Sequence, residues 1–287
     1  MSASLLLQYQ QQWGLQALAE PLVTASGRVQ HVQLSDGRTA MLKVTKDEAE
    51  QRGGRQLLGW QGCDQVVPVY AHADEALLLA FAPSSWSLLQ RWQQDAGCDD
   101  DATQVLATTL NQVHQMALAP AGDTLPLAQW LADLWTTSLP MPLLGPIRRL
   151  ADRLLSTPQS CVGLHGDGHH GNVLCFEPGH WRVIDPKGLQ GEHYFDYVPI
   201  LTNPDLGAWG VQPERFERQL ARVCAQQDLD PQRLRQWVAV GAALSAVWFL
   251  EDGLQAQGQR QLLLAAMALE SAQMGDVMGH HHDKKGQ

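Results

Sequence analysis

The sequence predicts an α+β chain, in which a small strand-rich N-terminal part carrying one helix precedes a larger, mainly helical part. Three observations carry this prediction. Up to about Phe81 the apolar residues fall mainly in short strand-like runs. A breaker cluster, Ala82-Pro83-Ser84-Ser85, then interrupts the chain. Beyond it, apolar residues recur at helical spacing. The expected division is therefore 1–82 and 83–287.

Within the first part, Val29 to Leu34, the turn Ser35-Asp36-Gly37 and Thr39 to Val44 read as a β-hairpin closed by an Asp-Gly turn. Asp47 to Trp60 reads as a helix, with Glu50, Gly54, Leu57 and Leu58 on one face and Gly62 ending it. Val66 to Tyr70 and Ala76 to Phe81 suit two further strands. In the second part Leu106, Leu110, Val113 and Ala117 form one helical stripe. Trp130, Leu131, Leu134 and Trp135 form another, and Ile147, Leu150, Ala151, Leu154 and Leu155 a third. Phe216, Leu220 and Val223 follow, then a long apolar helix through Ala239 to Leu250. Most of the ten tryptophans lie in such stripes and read as core packing. Between the helices, Val162 to Val198 reads as loop, strand, turn and strand.

Composition narrows the function classes. The 287 residues are 45% hydrophobic, enough for a sizeable core, and 20 basic against 30 acidic residues leave a net charge of −10. That sign disfavours nucleic acid and anionic membrane as partners and favours cationic ligands. The five cysteines are scattered and never spaced as Cys-x-x-Cys, which fits a reducing cytoplasm better than a disulfide framework or a thiolate zinc site. No apolar run reaches membrane-spanning length, and the first eleven residues lack the pattern of a leader. The run Gly279-His280-His281-His282-Asp283-Lys284-Lys285 reads as a polar tail rather than a metal site.

The chemistry concentrates in His165-Gly166-Asp167-Gly168-His169-His170-Gly171-Asn172, followed by a strand, a Glu177-Pro178-Gly179-His180 turn, and Trp181 to Asp185. Asp167, with His165 two before it and Asn172 five after, has the spacing of a protein-kinase catalytic loop. A hydroxyl is a poor nucleophile and needs a neighbouring carboxylate to orient it and take its proton. Mg²⁺ is a hard cation that needs oxygen ligands. On this reading Asp167 and His165 are the candidate catalytic residues, and Asn172 and Asp185 the candidate metal ligands, joined by a hairpin.

Two other readings compete. Gly166-x-Gly168-x-x-Gly171 matches a dinucleotide fingerprint, but that motif must open a helix, and here a hairpin is expected. His165 and His169 are four apart, as zinc ligands on a helix can be, but three glycines argue against a helix there. The bland alternative is a glycine-rich turn whose side chains satisfy backbone groups. Against it stands Lys43, placed in the apolar run Ala40-Met41-Leu42-Lys43-Val44, with Glu50 on the next helix able to hold it.

These segments resemble the aminoglycoside phosphotransferase family, in particular its streptomycin 6-phosphotransferase and hydroxyurea phosphotransferase branch. The resemblance rests on Leu164 to Leu174, Val183 to Glu192 and Phe195-Asp196-Tyr197. It extends to Glu50 to Gly53, Trp60 to Gly62 and Ala242 to Trp248. It implies a protein-kinase-like two-lobe fold, with 1–82 the nucleotide-binding lobe and 83–287 the catalytic and substrate-binding lobe. It further implies ATP and Mg²⁺, and transfer to a hydroxyl of a small polar, cationic acceptor. Asp167 would be the base, Asn172 and Asp185 the Mg²⁺ ligands, Lys43 the phosphate contact and Glu50 its partner. Backbone at Leu79, Ala80, Phe81 and Ala82 would hold adenine, and Asp196 would brace the loop. Departures are a phosphate loop shortened to Ala25-Ser26-Gly27 and a Gly168 where the branch carries a bulkier residue, which predicts a looser loop. Lys187 follows the branch and can meet phosphate, substrate or an outward carboxylate. Glu192 and Glu251 are acidic candidates for a cationic acceptor. The runner-up is a kinase-like binding or regulatory protein that holds nucleotide without transfer.

Overall fold

The computed structural model describes residues 2–24, 26–83, 88, 96–116 and 123–282. Ala25, Ser84, Ser85, Ala117 and the tail after His282 lie outside them. The N-terminal part is a six-stranded antiparallel sheet of β1 (Gln16–Ala17), β2 (Leu22–Val23), β3 (Gly27–Gln33), β4 (Thr39–Thr45), β5 (Val69–Ala73) and β6 (Ala76–Ala80). The strand order is β1-β3-β4-β6-β5, with β2 also on β3. The predicted hairpin is β3–β4, and Gly37 turns it at φ 87°, a conformation open to glycine.

Side-chain alternation gives this sheet two different faces. Val32, Ala40, Leu42, Val44 and Leu78 are buried with Leu5, Leu6 and Tyr9 of α1 (Ser2–Trp13). The sequence reading missed α1, because its glutamine-rich second half shows no long apolar stripe. On the opposite face the register sets Val29 against Lys43, His31 against Met41, and both Leu77 and Leu79 beside them. Lys43 therefore points away from the α1 core.

The predicted helix is α2 (Glu48–Gly59). The Asp47 carboxylate accepts from the Glu50 N–H at 3.0 Å, while Glu48 and Glu50 occupy the dipole-favoured first turn. One strand is shifted from its expected place. Val66 and Val67 join Val183 of the later hairpin instead of the sheet, the Val67 N–H donating to the Val183 carbonyl at 3.1 Å. Pro68, which has no N–H, follows, and β5 begins only at Val69.

The remainder contains α3 (Asp99–Met116), β7 (Leu125–Pro126), α4 (Leu127–Trp130), α5 (Asp133–Thr136) and α6 (Leu144–Ser156). After these come β8 (Cys161–Leu164), β9 (Val173–Glu177), β10 (His180–Val183), β11 (Leu189–Glu192), α7 (Val198–Thr202), α8 (Pro213–Gln227), α9 (Pro231–Glu251) and α10 (Gln255–His282). The expected stripes are buried as predicted around Leu106, Leu110, Ile147, Leu154, Phe216 and Leu244. The Trp130–Trp135 stripe splits into two one-turn helices, and α10 was not foreseen. Among the described residues no helix is long and apolar enough to cross a membrane.

Candidate active site

Three elements converge on Lys43. β4 carries the lysine, the first turn of α2 carries Glu50, and the residue after β10 and Ile184 is Asp185. The Lys43 ammonium lies 2.6 Å from Glu50 Oε2 and 2.8 Å from Asp185 Oδ1. Burial works against the ammonium, but the Asp185 and Glu50 carboxylates outweigh it, so Lys43 holds its proton more firmly than a free lysine. Burial likewise opposes the Glu50 charge, and Lys43 and then Lys187 bring its carboxyl below the usual range. Asp185 sits at φ 55°, a costly backbone region for a non-glycine residue that is held only where the surroundings fix it.

The 165–172 loop is fixed from below by Asp196, which is completely buried. Its carboxylate accepts from the His165 N–H at 2.7 Å and the Gly166 N–H at 2.6 Å, and meets His114 Nε2 at 2.7 Å. Burial raises the Asp196 carboxyl, yet His114 and the backbone donors pull it below the ordinary carboxylate value. The expectation that Asp196 braces the loop is met by these contacts. The expected looseness at Gly168 is not found. Leu110 of α3 fills the space, since a Cβ on Gly168 would stand 2.7 Å from Leu110 Cδ1.

His165 does not face a cleft. It is fully buried, its Nδ1 accepts from the Asp167 N–H at 3.3 Å, and its Nε2 lies 2.8 Å from the Ile184 carbonyl. Burial lowers its proton affinity, leaving a neutral ring whose two nitrogens are occupied. The side chain thus ties the loop to the hairpin rather than reaching the pocket, a role that spacing alone does not distinguish from catalysis. With both nitrogens engaged it cannot serve as a zinc ligand.

Asn172 and Asp185 flank the open end of the β9–β10 hairpin on its two strands, since Val173 pairs with Val183 and the Ile184 N–H donates to the Asn172 carbonyl at 2.9 Å. No helix follows the glycines, as expected. The Asn172 amide nitrogen donates to the Asp167 carbonyl at 3.0 Å and its carboxylate at 3.2 Å, which leaves the amide oxygen as an acceptor. Lys187 completes the set, its ammonium 3.4 Å from Asp167 Oδ2 and 3.5 Å from Glu50 Oε1. Glu50, Lys43 and Asp185 thus form one arm of a charged arc, and Glu50, Lys187, Asp167 and Asn172 the other. No group of three His, Cys, Asp or Glu side chains poised to enclose a metal occurs among the described residues. An amide oxygen beside a carboxylate suits instead a magnesium ion that completes its shell with phosphate oxygens and water.

A cavity of about 310 Å³ opens on Asp167, lined also by His169, Lys187, Trp130, Trp248 and Asp252. The Trp130 and Trp248 rings meet edge-on at 5.2 Å, and the Trp248 indole N–H donates to Asp133 at 2.7 Å. Sequence reasoning assigned these tryptophans to the core. The available signal was the α9 face Gly241, Ser245, Trp248 and Asp252, whose spacing of four, three and four points one way. The acidic candidates were misplaced. Glu192 is buried and bound by Arg233 at 2.6 Å, and Glu251 accepts from the Thr137 hydroxyl at 2.9 Å. A second cavity of about 250 Å³ lies behind the Lys43–Glu50 pair and includes none of residues 165–187.

At the end of β6, Leu79 and Ala80 are engaged in the sheet opposite Met41 and Ala40. Phe81 and Ala82 continue past it, and the Phe81 ring stacks on His31 at 3.9 Å. At the shortened loop, the Gly27 N–H donates to the Thr24 hydroxyl at 3.1 Å. A Cβ on Gly27 would lie 2.2 Å from the Val44 carbonyl oxygen, so this glycine is required by close packing on β4.

Comparison with known proteins bears on the family and the fold. The family model described as aminoglycoside/hydroxyurea antibiotic resistance kinase matches residues 12–253. A streptomycin 3''-kinase from Klebsiella pneumoniae is 38% identical over 264 residues, covering 90% of this chain and 97% of that one. A streptomycin 6-kinase from Streptomyces griseus is 29% identical over 245 residues, covering 80% and 77%. Among solved structures, a thermostable mutant of aminoglycoside phosphotransferase APH(4)-Ia, in ternary complex with ADP and hygromycin B, superposes with a TM-score of 0.61. It is 14% identical, with 91% of this chain and 96% of that chain covered, and so speaks to the fold. The chain belongs to the aminoglycoside/hydroxyurea antibiotic resistance kinase family and is a small-molecule kinase with a kinase-like α+β fold.

Proposed function

We propose that the chain transfers the γ-phosphate of ATP, with Mg²⁺, to a hydroxyl of a cationic aminoglycoside-type acceptor such as streptomycin. The observation that carries this reading is the arc joining Lys43, Asp185, Asn172 and Asp167 through Glu50 and Lys187, directly beside the Asp167 cavity. Residues 1–82 act as the nucleotide lobe and 83–287 as the acceptor lobe. Phe81 and Ala82, beyond the end of β6, offer backbone to adenine. Lys43 contacts phosphate and Glu50 holds it, while Asn172 and Asp185 supply the oxygens for Mg²⁺, which neutralises charge developing on the phosphates.

The acceptor hydroxyl lies against the Asp167 carboxylate. Its oxygen forms a bond to the γ-phosphorus, its proton passes to Asp167, and the bond from phosphorus to the bridging oxygen breaks, ADP leaving with that electron pair. His165, buried and neutral, positions Asp167 and is not itself a reacting group. The indole faces of Trp130 and Trp248 and the Asp252 carboxylate suit an acceptor bearing guanidinium or ammonium groups. The name of the Klebsiella pneumoniae relative favours streptomycin.

Incubation with ATP and Mg²⁺ against streptomycin, other aminoglycosides, choline and hydroxyurea tests the reading by mass spectrometry. Streptomycin is expected to gain one phosphoryl group. Consumption of ATP with no acceptor modified would contradict it.

A further inference from the structure

We propose that Lys187 is a further catalytic residue, one that binds the transferring γ-phosphoryl group; the inference rests on the phosphotransfer reading above. The Lys187 ammonium is placed by its backbone and by Glu50, not by chance on a mobile surface. The Lys187 backbone N–H donates to the His165 carbonyl at 2.8 Å, and the backbone N–H of the next residue, Gly188, donates to Gln56 Oε1 of α2 at 3.0 Å. α2 lies so close to this turn that a Cβ on Gly53 would stand 1.8 Å from the Pro186 carbonyl oxygen. Gly188, at φ 67°, lets the chain pass Arg52, whose Cγ a Cβ there would meet at 2.5 Å. The helix that carries Glu50 therefore also fixes the turn that carries Lys187.

Glu50 divides its two oxygens between the lysines, Oε2 to Lys43 at 2.6 Å and Oε1 to Lys187 at 3.5 Å. Lys43 has two of its three donors committed to short contacts with Glu50 and Asp185. Lys187 has none so committed, since both its carboxylate distances, 3.4 and 3.5 Å, exceed an ordinary hydrogen bond. An ammonium has three donors to offer, and this one is about a quarter exposed and lines the Asp167 cavity.

The location fits one ligand chemistry. An acceptor hydroxyl bonded to Asp167 must bring its oxygen to about 3–3.5 Å from the γ-phosphorus before reaction. An ammonium 3.4 Å from the same carboxylate is then within reach of the γ-phosphoryl oxygens. Asp167, Asp185 and Glu50 supply three negative charges around the arc against the two of Lys43 and Lys187, so a triphosphate entering here needs every cation available. When the γ-phosphate arrives, Lys187 swings from Asp167 to its oxygens. That movement leaves Asp167 Oδ2 with only the Asn172 amide, opening it to the acceptor hydroxyl, and neutralises charge on the group in flight.

The test compares binding of Mg²⁺ with ADP and Mg²⁺ with the imido analogue of ATP, by calorimetry, in the full-length chain and in Lys187→Met. A contact to the γ-phosphate predicts that affinity for the imido analogue falls about tenfold while ADP binding is unchanged, and that kcat for acceptor phosphorylation falls about 100-fold or more. Lys187→Gln, which keeps a donor and much of the length, is measured beside it and should show the same selective loss if the methionine variant melts early. Equal weakening of both nucleotides, or no weakening of either, overturns the inference. Failure of the wild-type chain to phosphorylate any acceptor would instead sink the phosphotransfer reading, while the nucleotide comparison still decides what Lys187 binds.

Discussion

Asp167→Asn is expected to lower acceptor phosphorylation by about 10³-fold, about 4 kcal/mol in the barrier, with nucleotide affinity retained. The substitution keeps the size of the side chain and its place above the Asp196-braced loop, so the change falls on chemistry. An amide cannot take the hydroxyl proton as it is released. It also removes a negative charge close to where the triphosphate binds, so Mg²⁺-ATP should bind as tightly as in the wild type or somewhat more tightly. Steady-state kinetics and calorimetry on the same preparation check both halves. Turnover within a few-fold of wild type would remove Asp167 from the role of base.

Asp196→Ala is expected to cost stability as well as activity. The carboxylate is wholly buried and serves the His165 N–H, the Gly166 N–H and His114 together. Its removal leaves two backbone donors and a histidine unsatisfied in the interior, which costs about 3–5 kcal/mol, or a fall in Tm on the order of 10 °C. Asp196→Asn retains an acceptor and should lose less. The pH dependence has a definite sign. Because the folded carboxyl titrates below the ordinary carboxylate value, its stabilisation is present above about pH 4 and is lost as the pH falls through the folded value. The stability gap between wild type and Asp196→Asn should therefore be flat near neutrality and narrow on acidification below about pH 4. Urea unfolding across that range measures it, and a melting point for the alanine variant within a degree or two of wild type would show that the loop does not depend on this brace.

What the sequence makes legible is what depends on short-range spacing. Lys43 in an apolar strand, Asp47 and Glu50 at a helix start, and Asp167, Asn172 and Asp185 around a hairpin all act through neighbours within about twenty residues or through a strand register that alternation defines. Direction is harder to read. His165 has the spacing of a catalytic-loop histidine, yet its ring turns inward because the Ile184 carbonyl and the Asp167 N–H occupy its nitrogens. Helix phase is harder still. Glu251 and Asp252 are adjacent, but one residue is about 100° of helix rotation, and it is Asp252 that lines the cavity. The acceptor pocket draws on α4, the loop and turn near the hairpin, α7, α9 and α10, elements spread over more than a hundred residues, and local periodicity says nothing of their meeting. Gly168 shows the same limit. Its missing side chain reads as a weakness until Leu110, from a helix some sixty residues earlier, is seen to occupy the space.

The most direct test of the account is the position of the cation relative to the base. A crystal structure with the imido analogue of ATP and Mn²⁺ in place of Mg²⁺, the metal located by its anomalous scattering, should find the ion between the Asn172 amide oxygen and the Asp185 carboxylate, with the γ-phosphorus facing Asp167. A cation held elsewhere, or a γ-phosphate turned away from Asp167, would contradict the account.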